Sequence, residues 1–244
     1  ITMPEPMKKP GQSSLQLELR APLPIERGEI NLRLGEVMRL RGKVRKDLPL
    51  NGTIQLGEGP IVEPPAQGLS IRGNAALLDS TGWVGFAAKG ESSSTLHDID
   101  VQAARLIFID RTFADTHLQL SRDSASTQVI LKGKGIDGTV DIPSEIARGV
   151  RGRFAVLHMP SDDVGAAPKT PATADVEDPA ALPPMQISIA DLRLGQAQLG
   201  KAELATTPIP TGMRVDKFQT KARHMSLDAA GEWVRAGKGT HSNF

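Results

Sequence analysis

The stretch Ala190–Ala205, "ADLRLGQAQLGKAELA", sets Leu192, Leu194, Leu199 and Leu204 against Arg193, Gln196, Gln198, Lys201 and Glu203, with Gly195 and Gly200 between them. Successive side chains of an extended chain point to opposite sides, so this spacing puts one apolar face on each strand. The glycines mark where the chain turns. The segment therefore reads as short strands in succession, each apolar on one side.

The same pattern recurs outward from it. Residues 14–20, "SLQLELR", alternate Leu15, Leu17 and Leu19 with Gln16, Glu18 and Arg20, and Pro22 and Pro24 end that strand. "EINLRLGE" carries Ile30, Leu32 and Leu34, and "VMRLRGKV" opposes Met38, Leu40 and Val44 to Arg39, Arg41 and Lys43. "TIQLG" and "GLSIRG" give two more short strands around a loop with Pro60, Pro64 and Pro65. "IDVQAARLIFI" reads as a strand pair or one long strand. "THLQLS" (Leu118, Leu120), "STQVILKG" (Val129, Leu131), "GTVDIP" and "RGRFAVLHM" continue the series. After residues 161–184, rich in Pro, Ala, Asp and Thr, strands resume with Ile187 and Ile189 in "MQISIADLRL" and run on through "MRVDKFQTKARHMSLDAAGEWV". A short helix after Asp79 and Ser80 competes with Gly82 and Gly85. The string Leu-Arg-Leu-Gly appears at 32–35 and 192–195, with Leu-Arg-Gly at 40–42 and Ile-Arg-Gly at 71–73 as looser echoes of a strand ending in a glycine turn. The coarse fold is mostly β, an antiparallel meander. Parallel βαβ units need crossover helices that the pattern does not supply.

Composition narrows the function. Aromatics are 3 % with no Tyr, so the apolar faces are aliphatic, and stacking platforms for single-stranded nucleic acid are not expected. The net charge of +1 creates no long-range field toward nucleic acid or an anionic surface. The absence of Cys removes disulfides, thiolate zinc sites and thiol catalysis. No apolar run reaches the roughly 18 residues of a membrane span. The start at Ile1 and the finish at "GTHSNF" suggest an excerpt from a longer protein.

Catalytic motifs are weak. "GKGIDG", residues 133–138, matches G-x-G-x-x-G, but "TVDIP" follows where a phosphate site needs a helix N-terminus, so a glycine hairpin turn is expected. His97, His117, His158, His224 and His241 show no metal-ligand spacing, and "HDID" at 97–100 reads as a polar turn rather than a cation site. No G-x-S-x-G elbow or S-x-x-K appears. "NGT" at 51–53 is a formal glycosylation sequon, better explained as a hairpin turn. No catalytic residue, metal or cofactor is assigned. The apolar faces remain, and two arrangements satisfy them: two sheets packed face to face, or walls of a groove that holds something apolar.

Taken in order, several segments resemble the YhdP family of AsmA-like bacterial envelope proteins. They are "GLSIRGNAALLDSTGWVGF", "ARLIFIDRTFADTHLQLSRD", "VILKGKGIDGTVDIP", "RFAVLHMP", and the block from Met185 through "GEW". The likeness covers most of residues 30–240 and suggests the C-terminal half of such a protein. It implies a long, curved, open antiparallel sheet forming an apolar groove, with at most one or two short helices. On this view residues 1–160 form a β-groove segment, 161–184 a linker or loop, and 185–244 the groove's continuation. The resemblance further implies a periplasmic part of an inner-membrane-anchored protein. Such a protein passes phospholipids between inner and outer membranes and supports the outer-membrane permeability barrier. Its partners are phospholipid acyl chains and the envelope membranes, not nucleic acid, and it has no enzymatic activity. Leu15, Leu17, Leu19, Ile30, Leu32, Leu34, Leu118, Leu120, Val129, Leu131, Ile187, Ile189, Leu192, Leu194 and Leu199 are the expected lining residues. The alternative is an envelope scaffold or protein-interaction module that conducts no lipid.

Overall fold

A computed structural model describes residues 15–20, 27–46, 50–80, 96–109, 111–160, 179–236 and 239–243. The chain divides into two compact units, Ile1–Gly133 and Lys134–Phe244. The described residues contain no α-helix. The short helix weighed after Ser80 and most of the Pro-rich segment at 161–184 lie outside them.

Unit 1 is an open mixed sheet. Its strands are β1 (Leu15–Arg20), β2 (Arg27–Leu34), β3 (Met38–Arg45), β4 (Asn51–Leu56), β5 (Leu69–Ala75), β6 (Leu78–Asp79), β7 (Leu96–Phe108), β8 (Arg111–Arg122) and β9 (Ser126–Lys132). The order is β1-β2-β3-β4-β5-β7-β8-β9, with β6 beside β7. Most neighbours are antiparallel, but β4·β5, β5·β7 and β6·β7 are parallel. The departure from a pure meander occurs where connections are long. Residues 57–68 carry the chain back to the starting end of β4, and a parallel neighbour results. That connection also covers the polar side of β3 and β4. Thr53 Oγ1 donates to Glu63 O (3.4 Å), Gln55 Nε2 to Glu58 O (3.3 Å), and Arg39 to the Gly57 and Gly59 carbonyls. Thr53 and Gln55 are therefore buried although polar.

Unit 2 is a second open sheet segment. It contains β10 (Ile136–Pro143), β11 (Val150–Met159), β12 (Met185–Leu194), β13 (Ala197–Ile209), β14 (Gly212–Lys221), β15 (Ser226–Ala236) and β16 (Gly239–Asn243), paired in that order. Among the described strands of this unit only β11·β12 is parallel, again across a long connection. The part of that connection that is described, a 3₁₀ turn at Pro179–Ala181, packs on β13, β14 and β15, and Pro179 is fully buried.

Several local expectations change. Of the two readings of "IDVQAARLIFI", the strand pair gives way to one long strand: residues 99–108 lie in β7 and Ile109 is at the tip beyond it. Asn51–Thr53 is not a turn but the start of β4, and the Asn51 side chain donates to Ala66 O (2.8 Å) and accepts from Gly68 N (2.9 Å). The two Leu-Arg-Leu-Gly strings do end in turns, with Gly35 at φ 49 and Gly195 at φ 55, the left-handed region that favours glycine. The looser echoes do not: Gly42 and Gly73 lie inside β3 and β5. Gly200 also lies inside a strand, β13, where the pairing slips by a residue.

Candidate functional site

Register decides which apolar residues become neighbours. Directly paired residues of adjacent strands share a face and lie within side-chain contact. In unit 1 this joins Leu17, Leu32, Leu40, Ile54, Ile71, Ile99, Leu120 and Val129 into one row crossing every strand of the main order. A second row runs Leu15, Leu34, Met38, Leu56, Gly73, Val101, Leu118 and Leu131. Leu19 pairs with Ile30 at the start of a third, although the Leu19 side chain lies outside the described residues. The expected lining residues of this unit thus share a face, joined by Leu40, Ile54, Ile71 and Ile99. Those connecting residues show the same alternation in the sequence. What was missing was the pairing that brings short parallel strands into line with the longer antiparallel ones.

In unit 2 one row joins Val140, Gly152, Ile187, Leu204, Phe218 and Ala229. The next joins Gly138, Phe154, Ile189, Ala202, Thr220 and Leu227. Leu192 continues a third between Leu157 and Gly200, and Leu194 pairs with Met159 and Ala197. Leu199 behaves differently. Pairing passes from Leu192–Gly200 to Arg193–Gln198, leaving Leu199 as the extra residue of a bulge with no direct partner in β12. Phe154 is a row member that alternation alone did not single out. A Cβ at Gly138 would overlap its ring, and one at Gly152 would lie 3.1 Å from it, so two glycines make room for one aromatic.

Both units interrupt the period of two without losing the face. In β7, Ala103 and Leu106 are both buried with exposed Ala104 and Arg105 between them; β8 does the same at Phe113 and Thr116, around Ala114 and Asp115. Because paired strands shift phase together, Leu106 still meets Phe113. In unit 2, Ala155 and Ala190 are the matching extra residues, and Leu157 still meets Leu192.

The opposite face is a ladder of ion pairs. Asp98 accepts from Ser70 and from Arg72 (2.8 Å). Asp100 accepts from His117 Nε2 (2.6 Å) and Gln119 (3.4 Å), and the His117 bond first of all holds its carboxyl below the ordinary Asp range. Asp191 is lowered in the same way by His158 (2.7 Å) and then Arg193 (3.0 Å). Lys217 (2.6 Å) lowers Glu203. The "HDID" carboxylates are thus engaged by neighbouring strands, and no group of three or more metal-ligating side chains occurs among the described residues. "GKGIDG" leads from β9 into strand β10 at Ile136, so the phosphate motif lacks its helix.

A face of aliphatic rows backed by a charged face offers binding without directional chemistry. The family profile described as YhdP protein matches residues 1–244, the whole chain. The chain belongs to the YhdP family. That membership supports an envelope protein of the YhdP/AsmA type. No curated protein and no solved structure gives a match.

Proposed function

We propose that this YhdP-family chain forms part of a periplasmic, inner-membrane-anchored protein that carries phospholipids between the envelope membranes, their acyl chains lying along its apolar rows. The observation that carries this reading is the register, which makes isolated leucines of successive strands into continuous rows. Repeated aliphatic contacts suit transport because dispersion and hydrophobic contact are non-directional. Moving one step along a row exchanges like contacts for like, with little barrier. Family membership supports the envelope setting. The reading gives the chain no catalysis, metal or cofactor and no nucleic-acid partner.

The scaffold reading draws on a different observation. At the centre of unit 1, Val101 and Leu131 are 0 % exposed, which is how a dry structural core looks. Conduction therefore rests chiefly on one row of unit 2, where Ile187, Leu204 and Phe218 are half-buried, while Phe154, Leu157 and Leu192 beside it are buried.

The test is photo-crosslinking from the full-length protein in its native envelope. A photoreactive residue at Ile187 or Leu204 should give phospholipid adducts detected by mass spectrometry. The same residue at Ser188 or Gln219, on the ion-paired face, should give none. Equal labelling of the two faces, or no lipid adduct from either, overturns the proposal.

A further inference from the structure

Where β11 and β12 begin, the chain leaves a cavity of about 150 Å³. Two non-repeating residues shape it. Gly149, at φ 87, brings its backbone against Pro184, and Val150 N–H donates to Pro184 O (2.8 Å). This ties the two parallel strand starts together. β13 and β14 run on beyond them, pairing from Thr206–Val215 to Ile209–Gly212, and wall the far side. Ala205 lies in the register row Arg151–Gln186–Ala205–Lys217, and its small side chain leaves the space between longer ones. The neighbouring row, Val150–Met185–Thr206–Val215, is the end of the apolar face. The cavity is lined from both rows, so it sits at a rim where the apolar and charged faces meet.

Its charges are of both signs. Arg151 is exposed, and its side chain has no hydrogen-bond or ion-pair partner among the described residues. Arg148, held by Glu145 at 2.8 Å, lies beside it in the lining. Asp216 stands in the same lining, fixed by Thr207 Oγ1 (2.6 Å) and Arg214 Nε (2.7 Å). Those two donors hold its carboxyl below the ordinary Asp range, so it is an anion at neutral pH. An isolated phosphate would meet Arg151 but also the Asp216 carboxylate, whose charge its partly exposed Arg214 partner offsets only in part. A group carrying a phosphate and an ammonium satisfies both. A space of this size takes a group about as large as benzene, so it suits a headgroup rather than acyl chains.

We propose that this cavity seats the headgroup of a zwitterionic aminophospholipid, its phosphate on Arg151 and its ammonium on Asp216, with the acyl chains on the adjoining apolar rows. The inference rests on the conduction reading and adds a substrate class to it. It is tested by calorimetric titration of the full-length protein with dihexanoyl phosphatidylethanolamine, dihexanoyl phosphatidylglycerol and free O-phosphoethanolamine. The wild type should prefer the ethanolamine lipid over the glycerol lipid by about tenfold, the worth of one charge-assisted contact. Arg151→Gln should weaken both lipids by about tenfold, and Asp216→Asn should erase the preference while leaving the glycerol lipid no weaker. Ala205→Leu, which fills the cavity without touching a charge, should weaken both lipids at unchanged Tm, and it stands in if Asp216→Asn unfolds. Equal wild-type binding of the two lipids overturns the zwitterion assignment. Wild-type affinities in Arg151→Gln and Ala205→Leu overturn the site. Free O-phosphoethanolamine binding as tightly as the lipid points to a soluble ligand and overturns the lipid assignment. In each of these cases, adducts persisting at Leu204 leave conduction standing, whereas their loss removes both readings.

Discussion

In unit 1 the row Leu40, Ile54, Ile71, Ile99 and Leu120 is buried from β3 to β8; in unit 2 the row Ile187, Leu204, Phe218 and Ala229 is half-buried throughout. Both are built from one-sided strands. Composition along the rows separates them. The closed row is branched aliphatic at every step, so each side chain shields the next. The open row sets its long residues beside Gly152 and Ala229, which leave them uncovered on a flank, whereas Phe154, Leu157 and Leu192 in the neighbouring rows of unit 2 are buried. Openness also rises at the margins of the sheet: Leu15 and Leu17 in β1 are 58 % and 52 % exposed, and Leu194, the last residue of β12, is 47 %. The same sequence device thus makes a core where it is filled and a binding face where it is not.

The strongest way to break this comparison is to place a charge in the buried face of unit 1 and in the open row of unit 2. Val101→Asp puts an unpaired carboxylate in a fully buried position and should cost at least about 3 kcal/mol, seen as loss of the cooperative thermal transition. Leu204→Asp, half-open, should leave most of the Tm in place while abolishing lipid adducts from Ile187. If Leu204→Asp unfolds the protein as readily as Val101→Asp, unit 2 is a core like unit 1.

A milder version removes volume instead. Leu131→Ala, fully buried in the row beside the closed one, should cost ~2–5 kcal/mol by urea denaturation, transfer and cavity costs together. Leu194→Ala, already about half exposed, should cost less than ~1 kcal/mol. Similar losses at both would erase the distinction.

Two smaller changes should stabilise, one in each unit. Ile109, at the tip between β7 and β8, holds φ 50 while 56 % exposed, a backbone region hostile to a β-branched residue. Ile109→Gly should raise stability by ~1 kcal/mol, measured as a higher urea midpoint at unchanged slope. Thr220 carries a buried hydroxyl without a partner in unit 2, in the row beside the open one. Thr220→Val removes that unpaired group at nearly constant shape and should be neutral or stabilising by up to ~1 kcal/mol.

The smallest expected effect is on the charged face. Asp100 and Asp191 are held below the ordinary Asp value of 3.8, chiefly by His117 and His158. A carboxylate lowered by folding contributes fully above its unfolded pKa and loses that contribution as pH falls through the folded value. Melting scans should therefore show a decline below about pH 4 that Asp100→Asn and Asp191→Asn each flatten slightly. Both carboxylates are partly exposed, so solvent keeps the change small.

Much of the architecture was legible in residue order because a strand's side-chain period is local. Alternation in "SLQLELR" and "EINLRLGE" is enough to assign the faces of β1 and β2, and the glycines closing each Leu-Arg-Leu-Gly mark real turns. Wherever the period breaks, local reading fails. Leu199 looks like another member of its face, yet a bulge takes it out of direct pairing. Gly42 and Gly73 look like turn glycines, yet they lie inside strands.

What the sequence by itself determined is the chemistry of the two faces: aliphatic on one side, polar and charged on the other. Only the tertiary structure decided which strands are neighbours, that long connections make β4·β5 and β11·β12 parallel, and that paired bulges carry the apolar face past a phase shift. It also decided how deeply each row is covered, and that Arg151 and Asp216 line one cavity. The reason is physical. Facing depends on neighbours one residue away, whereas register depends on backbone hydrogen bonds between segments far apart in the chain, which no local pattern encodes.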